Sequence, residues 1–453
     1  MDYGFLCLLP ILVVIAIALK TKRIFEALVV GTLVAYISMY GLKFPSHWMD
    51  AFFRVATDYD HQWVLMVCAF FGALIALLGA SHGTIGFSKK LEKFCKGPKT
   101  TQMVTWLLGI IIFIDDYLNI MTLSTCMSKL TDKQKVPREA LAYIIDSTGA
   151  PVCSILPFST WAVFFAGLFY SVPAVRELGY SSGLEVFIHI IPYAFYAIVA
   201  VIMVPLFIFG LIPKIGVMKK AYKRVKETGC VYSEESRELN IEDEDDVAYG
   251  GNALDFILPI ATLLILAIIG VDLFLAILAS IVVCFVIYIP RKIISLSRFF
   301  DLAMHGFCNM IPTVAVIFFV FVMQEAMDEI GIANFAIRYV QQWLSPTLFP
   351  AIVFIIVAAL NFSIGSAWGT PAIVVPLFLP LAASLGANLY LVMGAIVSGA
   401  TLGSHACFYS DATVLTSSCC RIQNMDHALS QLPYATIAML ISAVLYLIFG
   451  FIM

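Results

Sequence analysis

Residues 146–161 read DSTGAPVCSILPFSTW and lie inside an apolar run that covers residues 140–170. A membrane helix can leave its hydrogen-bond ladder only where buried polar groups or a cavity satisfy the freed backbone. One glycine and two prolines break this run among small hydroxyl residues, so the stretch predicts two half-helices that meet in mid-membrane. Such breaks form cation and substrate sites, and a carboxylate, Asp146, stands at this one.

The composition predicts an all-α polytopic membrane protein. Hydrophobic residues make up 61% of the 453 residues and charged residues 13%, and the mean hydropathy is +0.95. A soluble core cannot hide that much apolar surface. The apolar runs approach the roughly 20 residues that a membrane helix needs, and the period-two alternation of a barrel strand is missing from the sequence.

Full membrane spans are predicted at 5–19, 24–42, 63–80, 140–170, 186–212, 253–270, 272–290, 298–324, 390–420 and 432–453. Residues 101–128 differ, because polar residues lie in their middle and Lys and Arg flank both ends. Basic loops favour the cytoplasm, so this segment is predicted to be a re-entrant hairpin open to that side. Residues 348–386, with a polar tip NFSIGSAWGT at 361–370, form the corresponding hairpin, which should open outward because acidic residues precede it.

Recurring landmarks predict two repeats. Leu-Pro-Ile at 9–11 recurs at 258–260, and Pro-Tyr-Ala at 192–194 recurs at 433–435. Chance likeness of apolar sequences is the alternative. With about five crossings, one of them a broken helix, and one hairpin in each half, the second half must be inverted. The predicted domains are therefore a first inverted repeat (1–213), a cytoplasmic linker (214–252) and a second inverted repeat (253–453).

The linker begins basic, ends acidic and contains few apolar residues. This pattern is typical of a solvated segment. A regulatory or lipid-binding role is the alternative.

The repeat locates a second break, SGATLGSHACFYSDAT at 398–413. Both breaks and both hairpin tips are predicted to converge near the midplane. The predicted cation- and proton-binding residues are Asp115, Asp116, Asn119, Asp146, Ser147, Thr148 and Asp411, with the four aspartates as sodium ligands. The predicted substrate-binding residues are Ser159, Thr160, Asn361, Ser363, Ser366, Trp368, Gly369, Thr370, Ser398, His405 and Ser410.

Carboxylates at membrane depth need a functional reason, because an ionised Asp at the bilayer centre costs about 2.5–3.5 kcal/mol. The simplest chemistry for such a carboxylate is competition between sodium and protons. Hydroxyl, amide and carbonyl oxygens would complete the cation site. One or two of the aspartates could instead cap half-helices, and only one of Asp115 and Asp116 is expected to act directly. His405 and Trp368 allow packing roles as well as substrate contacts.

Motifs in four stretches of the chain together resemble the NhaC-type sodium/proton antiporters of the ion-transporter superfamily. These are FIDDYLN at 113–119, DSTGAP and PFSTW within 146–161, SDAT at 410–413 and QLPYA at 431–435. The resemblance implies two inverted halves with a scaffold, a hairpin and a broken helix each, an elevator-like movement and a homodimer. The family's polar positions fall on Asp115, Asp116, Asn119, Asp146, Ser147, Thr148, Ser159, Thr160, Trp368, Gly369, Thr370 and Asp411.

One departure concerns the second break. Many relatives have a Gly-Asp-His run there, whereas this chain reads Gly403-Ser404-His405 and lacks that carboxylate.

Two transporter functions are therefore predicted. The first is sodium/proton antiport by alternating access, and the second is sodium- or proton-coupled transport of a small organic or amino acid. An enzyme is disfavoured because the sequence has no catalytic triad order and no nucleotide loop. We expect a multi-pass protein of the cell inner membrane, in contact with lipid, with Na+ as the transported or coupling ion, no cofactor and no nucleic-acid partner.

Overall fold

The computed structural model describes residues 3–21, 24–81, 83, 94–240, 251–331, 344–364, 368–408 and 410–453, and these are helical without any β-strand. The first part of the chain contains α1 (Leu9–Thr21), α2 (Ile24–Tyr40), α3 (Phe44–Thr57), α4 (Tyr59–Ala80), α5 (Pro98–Ile111), α6 (Asp116–Lys133), α7 (Arg138–Thr148), α8 (Ala150–Cys153), α9 (Thr160–Tyr170), α10 (Pro173–Arg176), α11 (Gly183–Ile190), α12 (Phe195–Phe209) and α13 (Gly216–Thr228). The second part contains α14 (Ala253–Ile268), α15 (Leu273–Tyr288), α16 (Leu296–Ile330), α17 (Phe349–Ile364), α18 (Gly369–Leu385), α19 (Leu389–Ala406), α20 (Asp411–Cys419) and α21 (Asn424–Ile452).

Five helical stretches in the described part are long and apolar enough to cross a membrane. They are Phe25–Thr57, His61–Ala80, Leu296–Ile330, Leu389–Cys419 and Asn424–Ile452. A sixth is obtained if Gly183–Tyr193 and Phe195–Phe209, bent by 55°, count as one span. The prediction of an all-α polytopic membrane protein is confirmed, while the ten spans and the inverted repeat remain predictions.

The chain leaves the helical conformation at both predicted breaks. In the first, α7 ends at Thr148, the short α8 ends at Cys153, and α9 begins only at Thr160. In the second, α19 ends at Ala406 and α20 begins at Asp411. Apolar half-helices therefore end inside the protein, where side chains must satisfy their terminal backbone groups.

The first predicted hairpin consists of α5 and α6, which pack against each other. The chain turns between Ile111 and Asp116, at the polar centre of the segment. The second consists of α17 and α18, which are also in contact. Its turn, 365–367, lies outside the described residues.

Helices α4 and α16 form the most extensive contact between the two parts of the chain. At their crossing, Gly72 and Gly306 face each other so closely that a Cβ on either would collide with the backbone carbonyl of the other. Small residues allow such close approach of membrane helices. At this crossing the backbones of α4 and α16 are in direct contact.

Residues 216–240 of the predicted linker pack partly against the rest of the protein, although many of their side chains are exposed. Helix α13 buries Met218 and Ala221, and its Arg224 binds the buried Glu139 with two hydrogen bonds of 2.9 Å. Apolar residues three positions apart lie on the same face of a helix. The average composition of the whole segment does not show this pattern. Residues 241–250 lie outside the described residues.

Candidate functional site

Asp115 joins the tip of the first hairpin to the first broken helix. Its side chain caps α6 by accepting a hydrogen bond from the Leu118 amide at 3.0 Å. The Thr160 hydroxyl donates to its other oxygen, also at 3.0 Å, and the Thr160 amide donates to the Ile114 carbonyl at 2.9 Å. The hairpin turn and the start of α9 therefore form one unit.

Ser159 and Ser410, one in each break, make matching hydrogen bonds. The Ser159 hydroxyl accepts from the Ala162 amide at 3.0 Å and donates to the Cys153 carbonyl at 2.6 Å. The Ser410 hydroxyl accepts from the Thr413 amide at 3.2 Å and donates to the Ser404 carbonyl at 2.5 Å. Each serine thus caps a half-helix and satisfies a carbonyl six residues earlier, inside the break.

Asn119 links the first hairpin to the first broken helix by hydrogen bonds. Its amide nitrogen lies 2.7 Å from the Gly109 carbonyl, 2.8 Å from that of Ile112 and 3.1 Å from that of Thr148. Its side-chain oxygen is buried and has no hydrogen-bond partner among the described residues. That oxygen is available to an ion.

Asp116 and Asp411 form the centre of a carboxylate cluster with Asp115. Asp115 and Asp116 are buried, and Asp116 lies close enough to both other aspartates to interact with them electrostatically. The Tyr117 hydroxyl donates to Asp411 Oδ2, and the Ala412 amide donates to Asp411 Oδ1 at 3.0 Å. Asp411 itself is exposed, so the cluster reaches the protein surface there.

The cluster has no basic counter-charge in the described part of the chain. The ion pairs found there involve other carboxylates. Three neighbouring carboxylates, two of them buried, cannot all stay ionised unless a cation binds among them. Without a cation, at least one of them binds a proton.

Asp146 belongs to a separate hydrogen-bond set. It is fully buried, and its Oδ2 lies 2.9 Å from His427 Nε2 and 2.8 Å from Gln431 Nε2. Gln431 also donates to the His405 carbonyl. Asp146 Oδ1 has no partner among the described residues. The structure thus groups Asp115, Asp116 and Asp411. Asp146 has its own hydrogen-bond partners but still interacts electrostatically with Asp411.

His405 and Ser398 use their hydrogen-bonding groups within the protein. His405 Nε2 lies 3.0 Å from the Ser147 hydroxyl, and Nδ1 lies 2.8 Å from the Tyr196 hydroxyl. The Ser398 hydroxyl accepts from the Tyr196 amide at 3.2 Å and lies 2.7 Å from the Tyr446 hydroxyl. These contacts fix the second broken helix against α7 and α12.

The second hairpin contributes Asn361, Trp368 and Thr370. Asn361 donates to the Ala400 carbonyl and accepts from the Thr370 hydroxyl at 2.8 Å. Gly369 is buried at the start of α18. The Trp368 ring lies 5.5 Å from that of Trp161, between ring centroids. The side chain of Ser363 and the whole of Ser366 lie outside the described residues.

Among the described residues, no group of three or more His, Cys, Asp or Glu side chains is arranged to hold a metal ion. The role of the four aspartates as sodium ligands stays a prediction.

Four residues of the site were missed by the sequence-based prediction: Tyr117, Tyr196, His427 and Gln431. Tyr117 directly follows the Asp pair, and Gln431 lies within the QLPYA motif. His427 and Gln431 are four residues apart in α21, so they share one helix face. Two polar residues at that spacing in an apolar helix are the signal that could have identified them.

Comparison with known proteins agrees with this architecture. The model of the Na+/H+ antiporter family matches residues 152–451. An uncharacterised protein of Haemophilus influenzae is 25% identical over 98% of this chain and 90% of its own length. The malate-2H(+)/Na(+)-lactate antiporter of Bacillus subtilis is 29% identical over 32% of this chain and 31% of its own length.

The fold is similar to that of MtrF of Neisseria gonorrhoeae, described as one of a class of antimetabolite efflux pumps. The TM-score is 0.60 at 13% identity, covering 91% of this chain and 85% of MtrF. The predictions of a multi-pass membrane transporter rather than an enzyme are confirmed by the family match. Because that match covers more than half of the chain, the protein belongs to the Na+/H+ antiporter family.

Proposed function

We propose that this protein exchanges sodium for protons by alternating access, and that Asp116 and Asp411 bind both ions in turn. The carboxylate cluster without a basic counter-charge is the observation that carries the proposal. Asp115 is already engaged in capping α6 and in the bond to Thr160, so it shapes the site. Asp411 also accepts two hydrogen bonds, but it is exposed and can meet an arriving ion. Asp116 accepts from the Tyr117 amide with Oδ1 and interacts electrostatically with the other two carboxylates.

The exchange follows from electrostatics. Two neighbouring carboxylates disfavour being ionised together, and a proton or a cation relieves the repulsion. A sodium ion needs several oxygen ligands, which the carboxylates, Asn119 Oδ1 and carbonyls at the helix breaks can supply. Because both ions neutralise the same charge, binding of one displaces the other.

The exposed Asp411 provides the route by which ions reach the buried Asp116. A homodimer in the cell inner membrane whose broken helices and hairpins move against a scaffold of α4 and α16 fits this role. The Gly72–Gly306 crossing supports a rigid scaffold.

The test is sodium-driven proton movement in proteoliposomes without any organic solute. Asp116→Asn and Asp411→Asn should each abolish the pH change, because an amide keeps the shape but neither ionises nor exchanges a proton. Asp301→Asn, at an exposed carboxylate on α16, is the matched control and should exchange at the wild-type rate. Wild-type exchange in both cluster variants would reject the proposal.

A second candidate is sodium- or proton-coupled transport of a small organic acid or amino acid. It is supported by the partial similarity to the malate-2H(+)/Na(+)-lactate antiporter. The same vesicles separate the two functions. Full exchange without solute supports the antiporter, whereas exchange that appears only after an organic solute is added supports the second candidate.

A further inference from the structure

A cavity of about 780 Å³ lies apart from the carboxylate cluster. Its walls come from α4, from the α9–α11 region and from the turn between α14 and α15. None of Asp115, Asp116, Asp146 and Asp411 lines it. Its size is typical of small-molecule sites, and it lies between elements from both predicted halves.

Aromatic side chains form the apolar part of the wall. Tyr59, Trp63, Phe158 and Tyr170 all line the cavity. Such rings bury an apolar ligand body and attract a cationic group through their faces.

The charged part of the wall carries both signs. Arg176 lines the cavity together with Glu185 and Asp272. The Arg176 Nε donates to the Tyr170 carbonyl at 2.7 Å, and its guanidinium lies 5.6 Å from the centre of the Tyr170 ring. These contacts fix the cation against the aromatic wall.

The two carboxylates are also held in place. Glu185 Oε2 accepts from both the amide and the hydroxyl of Ser181, at 2.8 and 2.6 Å. Asp272 caps α15 with Oδ1 and accepts from Trp63 Nε1 at 2.9 Å with Oδ2. Glu185 thus uses a single oxygen for its local bonds, and Asp272 joins α15 to α4.

We propose that this cavity binds a small organic zwitterion that carries an ammonium group, a carboxylate and an apolar body. Arg176 binds the carboxylate, Glu185 and Asp272 attract the ammonium group, and the aromatic wall buries the remainder. A simple anion would face two carboxylates, and a simple cation would face the guanidinium. Only a ligand with both charges matches both signs of the wall.

Phe158 connects the cavity with the carboxylate cluster. It lies in the first break with φ of 69°, a left-handed conformation that is unusual for a bulky residue. Two residues later, Thr160 donates its hydroxyl to Asp115. A ligand that moves Phe158 would therefore shift the hydroxyl that holds Asp115. This coupling, unlike the binding itself, rests on the proposed role of the cluster in exchange.

The test uses the purified full-length protein in detergent and three matched probes. L-phenylalanine carries both charges, 3-phenylpropanoate lacks the amine, and 2-phenylethylamine lacks the carboxylate. A bound ligand raises the unfolding temperature in a concentration-dependent way. We expect L-phenylalanine to bind at least tenfold more tightly than either of the other probes. Equal shifts with all three probes, or no shift with any, would overturn the proposal.

Variants then assign the binding to the cavity. Arg176→Gln and Glu185→Gln should each weaken L-phenylalanine binding at least tenfold, and Arg176→Lys should weaken it less, because the charge is kept without the planar fork. Lys223→Gln, at an exposed cation on α13, is the control and should bind as the wild type does. Unchanged binding in Arg176→Gln and Glu185→Gln would contradict the assignment.

The readout needs no ion movement, so its failure is distinct from failure of the exchange experiment. Asp411→Asn should still bind L-phenylalanine. Loss of binding in Asp411→Asn with normal binding in Arg176→Gln would place the ligand at the carboxylate cluster and overturn the assignment to this cavity.

Discussion

At the scale of single residues, the carboxylate cluster depends on one hydroxyl. Tyr117 donates to Asp411, the exposed end of the cluster. A hydrogen bond to a charged group contributes about 1.5–3 kcal/mol and favours the ionised carboxylate. If Asp411 binds both ions as proposed, this hydroxyl adjusts the balance between sodium and protons without binding either ion itself.

Tyr117→Phe should weaken sodium binding relative to proton binding. The sodium concentration for half-maximal exchange should rise about tenfold, the lower end of what a bond of 1.5–3 kcal/mol allows. The measurement is the exchange rate against sodium concentration in proteoliposomes. Tyr222→Phe, which removes a tyrosine hydroxyl bonded to Gln102 instead, is the control. A sodium dependence equal to that of the wild type in Tyr117→Phe would show that the hydroxyl only supports packing.

The residues of the cluster could be predicted from sequence, whereas their grouping could not. A carboxylate in an apolar segment indicates function wherever it occurs, so Asp115, Asp116, Asp146 and Asp411 were all predicted as site residues. That Asp146 pairs with His427 depends on α21 packing against α7, a contact between residues 281 positions apart. No local pattern carries that information.

At the scale of elements, each hairpin packs closely against a broken helix at a glycine. In the first half the glycine belongs to the hairpin, where Gly109 faces Thr148. In the second half it belongs to the broken helix, where Gly399 faces Val357. Both halves therefore have the same close packing, but the glycine lies on the hairpin in the first half and on the broken helix in the second. Sequence reveals such glycines but not which helix they face.

Gly109→Ala should destabilise the protein. The added Cβ would overlap the Thr148 side chain, and overpacking of this kind costs about 1–3 kcal/mol. The unfolding temperature should fall, and the double variant Gly109→Ala with Thr148→Ala should recover part of the loss.

The matched control for this change is Gly79→Ala. Gly79 also lies in a helix, but nothing lies within 4 Å of an added Cβ there. Alanine is favoured over glycine in a helix by about 0.5–1 kcal/mol, so this variant should be as stable as the wild type or slightly more so. Equal effects of the two substitutions would contradict the close packing at Gly109.

At the scale of the whole molecule, composition alone predicted the fold class, because no soluble core can cover this much apolar surface. The count of spans was harder to predict. Residues 140–170 formed a single predicted span with an internal break, and the structure divides them among α7, α8 and α9. The glycine and the two prolines of this run indicate the break, whereas its hydropathy does not. Hydropathy averaged over a window does not register a break whose polar groups are satisfied within the protein, as those of Ser159 are.

Sidedness of the first hairpin tests the inverted repeat. Helix α5 begins at Pro98 and α6 ends at Lys133, so a re-entrant hairpin places both positions on one side. In a background without the eleven native cysteines, Pro98→Cys and Lys133→Cys should both react with an impermeant thiol reagent only from the cytoplasm. Asp50 lies between the predicted spans 24–42 and 63–80, in a segment that the charge bias of the loops predicts to be outside, so Asp50→Cys should react only from outside. Labelling of positions 98 and 133 from opposite sides would make the segment a full crossing and rule out the repeat.

The neighbouring rings of Trp161 and Trp368 give the protein an intrinsic spectroscopic probe of its conformation. The Trp161 ring lies at the start of α9, after the first break, and the Trp368 ring lies directly before α18. Their centroids are 5.5 Å apart and their planes are inclined by 49°. Two indoles at that separation couple electronically, and the coupling falls steeply with distance. If the two hairpin-and-break units move relative to each other during the cycle, the near-ultraviolet circular dichroism of the unlabelled protein will change as sodium replaces protons. The conformational cycle can then be followed by its own chromophores, without attaching a dye.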